Sequence, residues 1–392
     1  MKKLILFFLA ALFIQNSFAA GIRFVENKKW KEILALAKKE NKLVFLDGYA
    51  TWCGPCKYMQ QDIFTQTEVG NYFNAKFINV KLDMEEGEGL VLSEKFDLTA
   101  YPTLFFINGE GELVHKYVGA LDAKEFITLG KNALDPQKQF FSRKDKAAKG
   151  KLAPEDFHNW LHDAEDLKED ADSVIASYLS YDNYPLLEKD MLDILLDHVR
   201  TLTGEQLHFL FDNREKIKQL TARSSDELDK TLLSKVRSFA ISESLSNEEI
   251  DFALFQKTVA QFFPKKAAAE TQKMKVKYYF IKEEVTEAIA ALEPCLGNTP
   301  LKISVEELAT IIIDYADIII EKDQAGTVIK KIGQYQVSAA DADLAYYKDL
   351  ALLIIYYKQG DKKTMETVSA RILQNNKTPE EIRELVTGLR DK

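Results

Sequence analysis

Apolar positions over residues 22–134 recur at two different spacings, and the alternation between them marks out the elements. Over 27–41 (NKKWKEILALAKKEN), Trp30, Ile33, Leu34 and Ala37 fall on one face at helical spacing, which predicts an amphipathic helix. The run KLVFLDGYA (42–50) is short and apolar and predicts a central strand. A helix is predicted to start at the cysteines of WCGPC (52–56) and to run through Phe73. AKFINVKL (75–82) predicts a second strand and 90–96 a short helix. TLFFI (103–107) and LVHKY (113–117) flank Asn108-Gly109-Glu110-Gly111, a hairpin signal, and a closing helix is predicted over 123–134. This order predicts a mixed sheet covered by helices on both faces.

After Leu134 the pattern changes. Residues 135–153 (DPQKQFFSRKDKAAKGKLA) turn polar and basic and predict a linker. From 154 to 392 the spacing is helical, without a convincing strand. Breaks recur near Asp166-Leu167, Gly204, Ser246, Lys282, Asp323 and Gly360, about 36 to 42 residues apart, the period of stacked helical hairpins. The predicted pairs are 186–202 with 205–220, 305–321 with 324–332, and 340–358 with 362–373. The last resembles a degenerate tetratricopeptide hairpin through Tyr356 and Gly360. Other repeat-defining positions do not match, so the expectation is a solenoid-like all-α array rather than that family.

The N-terminus adds a compartment. Met1-Lys2-Lys3, about eleven apolar residues and the small residues Ser17 and Ala19 predict a signal peptide over 1–19, cut to leave Ala20 first. The apolar run is shorter than the roughly 20 residues of a membrane anchor. The mature protein is therefore expected to be soluble and exported. At 392 residues the chain predicts two or more domains. Its net charge of −9, with no basic cluster, argues against a nucleic-acid partner.

Three cysteines are too few for a disulfide framework. Cys53 and Cys56 would close only a tiny loop, and loop-closure stabilisation grows with loop length. If the helix begins at Cys53, its sulfur faces unpaired N–H groups and the positive end of the helix dipole, which favour a thiolate. Pro55 suits the first turn, which needs no N–H from it. Cys56, one turn inward, would be shielded yet close enough to bond Cys53. The asymmetry makes Cys53 the nucleophile and Cys56 the resolving residue. A zinc site commonly needs four ligands. The chain has five histidines, at 115, 158, 162, 198 and 208. His158 and His162 are four apart on a predicted helix, but without a further clear ligand a solvated face is expected there and no metal site is assigned. Cys295, placed just past a helix end, is expected to be a buried or half-buried free thiol, and EEGEG (85–89) a solvated loop.

Alone, Cys-x-x-Cys is a moderate signal. With Asp47 six residues upstream, Trp52 before the pair, Lys57 after it, Tyr101-Pro102 before TLFFI, and Val118-Gly119-Ala120, residues 22–134 resemble the thioredoxin superfamily. DGYATW (47–52) and DIFTQTEVGNY (62–72) are most similar to exported thioredoxin-like proteins and the C-terminal domain of DsbD-type reductases. The resemblance implies an α/β thioredoxin fold, with Asp47 accepting the proton of Cys56. It implies a cis Pro102 that sets the backbone of Tyr101 beside the cysteines, where a client strand can pair. It also implies that Gly119 leaves room for the client backbone, and that Trp52, Gly54, Pro55 and Lys57 border the site. Tyr101 is bulkier than the family's usual residue there, which bears on client preference.

Gly-Pro is the thioredoxin spacer, and thioredoxin is reducing at about −270 mV against about −120 mV for the oxidant DsbA. No histidine lies between the cysteines to make the pair more oxidising. The expected function is protein-disulfide reduction in a Gram-negative periplasm, with electrons supplied by a DsbD-type membrane donor and no cofactor beyond the disulfide. A helical scaffold that recruits thiol clients through the thioredoxin-like domain, and a disulfide isomerase, are the alternatives.

Overall fold

A computed structural model describes residues 21–181, 184–297 and 299–390. The predicted signal peptide lies outside the described residues. The chain divides into two compact units, Met1–Val199 and Arg200–Lys392.

In the first unit, α1 (Trp30–Glu40) leads into β1 (Leu43–Tyr49), then α2 (Gly54–Tyr58), which a π-helical turn (Met59–Ile63) continues. Next come α3 (Thr67–Lys76), β2 (Phe77–Asp83), α4 (Gly87–Lys95), β3 (Thr103–Ile107), β4 (Leu113–Val118) and α5 (Ala123–Leu134). The strands form one sheet in the order β2-β1-β3-β4. β1 runs parallel to β2 and antiparallel to β3, which is antiparallel to β4. This is the thioredoxin fold that the sequence predicts.

Strand alternation sorts the sheet's side chains into two cores. Phe45, Phe77, Leu104 and Phe106 face one way and pack with Met59, Ile63, Phe73 and Phe126. Val44, Leu46, Ile78, Val80, Phe105 and Ile107 face the other way and pack with Ile33, Ala37 and Leu92. Phe73 and Phe126 stack with ring centroids 4.1 Å apart, tying α3 to α5.

The single helix predicted from the cysteines through Phe73 is instead broken between Ile63 and Thr67. The carbonyl of Phe64 accepts the N–H of Ile22 at 2.7 Å, and Gln66 is extended, so the backbone there serves the N-terminal segment. Residues 85–89 are also more than a solvated loop, because α4 begins at Gly87.

The expected linker is structured too. α6 (Phe140–Ala148) packs against β4, followed by α7 (Pro154–Asp166), α8 (Asp172–Leu179), α9 (Lys189–Asp193) and a π-helical turn (Ile194–His198). Phe140 is buried, its N–H bonds His115 Nδ1 at 3.1 Å, and its carbonyl accepts Trp160 Nε1–H at 3.1 Å. A polar composition hid one buried aromatic face. The unit boundary therefore falls after Val199 rather than near residue 153, and it divides the predicted pair 186–202 with 205–220.

The second unit is helical: α10 (Gly204–Asp212), α11 (Arg214–Thr221), α12 (Ser225–Ser244), α13 (Phe252–Phe262), α14 (Ala267–Ile281) and α15 (Val285–Leu296). It continues with α16 (Val305–Asp314), α17 (Ala316–Glu321), α18 (Ala325–Gln334), α19 (Tyr346–Gln359), α20 (Lys362–Gln374) and α21 (Glu380–Arg390). Helices α12 to α15 each pack on the next, as do α19 to α21, while α16 packs on α19. A two-residue strand pair, Leu245–Ser246 with Glu249–Ile250, occupies the predicted break at Ser246. The other predicted breaks in this unit fall at helix ends, with Gly360 left-handed at φ 72° after α19. Among the described residues, no helix is long and apolar enough to cross a membrane.

Candidate active site

β1 ends at Tyr49 and the chain turns through Thr51 and Trp52 into α2. Cys53 is the capping residue of that helix: its backbone is extended, and its Sγ accepts the N–H of Cys56 at 3.1 Å. Pro55 sits in the first turn, where no N–H is missed. Cys53 and Cys56 are joined, Sγ to Sγ 2.01 Å and Cα to Cα 5.3 Å. Both are buried, 3% and 1% exposed, so accessibility does not separate them in this state. Capping does. Only Cys53 places its sulfur over a free helical N–H, the position that stabilises a thiolate.

Asp47 follows from strand alternation. It shares the sheet face of Phe45, against which Met59 packs after α2, and it is fully buried. Gln60 Nε2–H donates to its Oδ2 at 3.4 Å, while Oδ1 has no hydrogen-bond partner among the described residues. Burial pushes the carboxyl up to about 7, opposed by the Gln60 hydrogen bond and the Lys81 charge. A carboxyl poised there can take and return a proton at neutral pH.

The remaining predicted residues frame the disulfide. Tyr101 and Tyr49 pack against the cluster of Ala50, Cys53 and Cys56. The Tyr101–Pro102 peptide is cis, and the Pro102 carbonyl accepts the Gly119 N–H at 2.8 Å. Gly119 has φ +115°, a conformation that side chains rarely adopt, so glycine is required there. Trp52 is 66% exposed and its ring meets Tyr101 edge-on at 5.6 Å. Gly54, Pro55 and Lys57 are exposed around the pair.

Two partners were missed from the sequence. Gln60 lies four residues after Cys56, at helical spacing, so its approach to the site was legible. Glu85, which accepts the Trp52 Nε1–H at 3.0 and 3.1 Å, was not, because only the fold sets the end of β2 beside Trp52.

The other predicted positions also have places. Cys295 is free and buried, within α15 rather than past its end. His158 and His162 on α7 are joined by His198, with one ring nitrogen of each within 4.8 Å of the others.

The family model for the thioredoxin-like domain matches residues 30–134. Thioredoxin Y of Oryza sativa subsp. japonica is 36% identical over 103 residues, 26% of this chain and 58% of that protein. The thioredoxin of Echinococcus granulosus is 38% identical over 92 residues, 24% of this chain and 79% of its own length. The chain thus spans about three fifths of the rice relative and most of the Echinococcus one. Among solved structures, a Bacteroides thetaiotaomicron protein provisionally assigned as a disulphide-isomerase is 45% identical, covering 30% of this chain and 96% of that one, with a TM-score of 0.28. The oxidised C-terminal domain of Neisseria meningitidis DsbD is 25% identical, covering 26% and 90%, with a TM-score of 0.24. With the Cys53–Cys56 pair, the capped helix and the buried Asp47 in place on this sheet, the chain belongs, through residues 30–134, to the thioredoxin-like family.

Proposed function

We propose that this protein is an exported thiol-disulfide oxidoreductase working as a protein-disulfide reductase. The observation that carries the reading is the Cys53–Cys56 pair, with Cys53 Sγ capping α2 over the Cys56 N–H. In the reduced state, the Cys53 thiolate attacks one sulfur of a client disulfide. The client S–S bond breaks, a mixed disulfide forms, and one client sulfur leaves as thiolate. Cys56 gives its proton to Asp47 and attacks Cys53 Sγ. The mixed disulfide breaks, the second client thiol is released, and the Cys53–Cys56 disulfide forms. Two electrons pass to the client, and a membrane dithiol donor of the DsbD type returns them. The Gly-Pro spacer supports reduction over oxidation, and the N-terminal segment supports export with cleavage after Ala19. The second unit is read as a helical-hairpin array that offers a surface to protein partners.

The test is reduction of insulin by the dithiol form, with a redox titration alongside. A potential near that of thioredoxin, about −270 mV, supports a reductase, and one near about −120 mV reverses the direction. Repair of scrambled disulfides without net reduction would instead favour the isomerase.

A further inference from the structure

Away from the disulfide, α7 and α9 pack against each other and bring together three of the chain's five histidines. His158 and His162 are one turn apart on α7, and His198 ends the π-helical turn after α9. Such turns interrupt helices at functional sites more often than elsewhere. The Nε2 atoms of His158 and His162 lie 3.2 Å apart. The Nε2 of His198 is buried and has no hydrogen-bond partner among the described residues.

The outer nitrogens face carboxylates. His198 Nδ1 lies 2.9 Å from Glu165 Oε1, a hydrogen bond. His158 Nδ1 is 3.5 Å from Asp190, and His162 Nδ1 is 3.8 Å from Glu165 Oε2. The hydrogen bond to Glu165 favours the proton of His198 on Nδ1 and turns its Nε2 lone pair away from it, and the nearby carboxylates bias His158 and His162 the same way. Where both rings carry their proton on Nδ1, the facing Nε2 lone pairs of His158 and His162 at 3.2 Å cannot bond each other, because neither has a proton to donate. A hydrogen bond between the two rings in another tautomer would still leave buried His198 Nε2 unanswered.

One cation accounts for all three. Zinc–nitrogen bonds of about 2.0–2.1 Å at tetrahedral angles separate ligand nitrogens by about 3.4 Å. The 3.2 Å contact is close to that spacing, and the third nitrogen lies within 4.8 Å. Imidazole selects borderline ions such as Zn²⁺ over Mg²⁺ or Ca²⁺. The side chain of His198 is 4% exposed, that of His158 15% and that of His162 57%, so the site is walled on two sides and open on the third.

We propose that His158, His162 and His198 bind one Zn²⁺ through Nε2, oriented by Glu165 and Asp190, with the fourth position open to solvent. This site is independent of the dithiol chemistry, and the test keeps them apart. The full-length mature protein, stripped with chelator and kept oxidised so that Cys53 and Cys56 offer no thiolate, is titrated with Zn²⁺ and separately with Co²⁺. One equivalent of Zn²⁺ is expected to bind, and Co²⁺ to show the absorption bands of a tetrahedral site. Because His162 is exposed, His162→Ala is expected to lower affinity by about 100-fold while leaving the melting temperature of the metal-free protein unchanged; Glu165→Gln lowers it by about tenfold. His208→Ala, outside the cluster, changes nothing. No uptake by the oxidised protein at micromolar metal, or uptake that His162→Ala leaves intact, overturns the proposal.

Discussion

Asp47 carries opposite consequences for stability and for turnover. Its folded carboxyl sits at about 7 against an ordinary 3.8, so between those values the folded chain holds a proton that the unfolded chain has lost. Stability therefore falls as pH rises through this window and stays low above it. A shift of this size corresponds to at most about 4 kcal/mol. Asp47→Asn keeps the shape but cannot ionise. It is expected to raise the urea midpoint at pH 8 and to change it little at pH 4. The same variant is expected to slow insulin reduction by about 100-fold, because Cys56 loses its proton acceptor. A variant stabilised at pH 8 with unchanged turnover would remove Asp47 from the chemistry. Cys56→Ala is expected to accumulate a mixed disulfide on Cys53, seen as a reducible adduct by mass spectrometry. Cys295 behaves differently: burial pushes its thiol up to about 11. A thiol reagent is expected to label Cys53, the thiolate at the helix start, in the reduced native protein and to reach Cys295 only on denaturation.

At the scale of elements, the site depends on helices held close to strand ends. A Cβ on Gly89 of α4 would lie 1.9 Å from the Asp83 carbonyl oxygen at the end of β2, a backbone atom that cannot swing aside. Gly89→Ala must push α4 outward, and the expected loss is about 1–3 kcal/mol in a denaturant melt. The clasp of α6 on β4 has its own pH dependence. His115 Nδ1 accepts the Phe140 N–H and must be unprotonated to do so, and burial, with the Arg143 charge, lowers its pKa from 6.5 to about 4. Here the unfolded chain binds the proton more readily. The stability is present above pH 6.5 and is lost as pH falls toward 4, by at most about 3 kcal/mol. His115 and Asp47 thus oppose each other over much the same range. In Asp47→Asn the acid-side loss is expected to emerge as a steeper fall of the melting temperature between pH 6.5 and 4 than in the parent.

At the scale of the molecule, the thioredoxin-like sheet does not end its own unit at Leu134. Lys116 on β4 is buried and paired with Glu169, which also bonds Lys144. Burial opposes ionisation of Glu169, but the two ammonium groups prevail and hold its carboxyl below the usual range. A fragment covering 21–199 is expected to fold and to reduce insulin. One covering 21–134 loses the partners of His115 and Lys116 and is expected to be less stable by about 2 kcal/mol or more, read as a lower urea midpoint. Equal midpoints would mean that α6 to α9 only decorate the sheet.

The elements and the redox pair were readable because their signals are local. Alternation along β1 sets which residues face each core, and helix capping at Cys53 needs only the neighbouring turn. Asp47 was legible through the family resemblance around the cysteines, whereas Gln60 was missed although its helical spacing from Cys56 was there to be read. Three features depended on contacts between segments far apart in the chain. The 135–153 stretch averages as polar, yet Phe140, buried and bonded to His115 on β4, ties it to the sheet. Glu85 meets Trp52 only when β2 ends beside the active site. His198 joins His158 and His162 only when α9 packs on α7. Periodicity reports what a segment buries. Which segments supply the other half of an ion pair, a clasp or a ligand set was decided by tertiary packing alone.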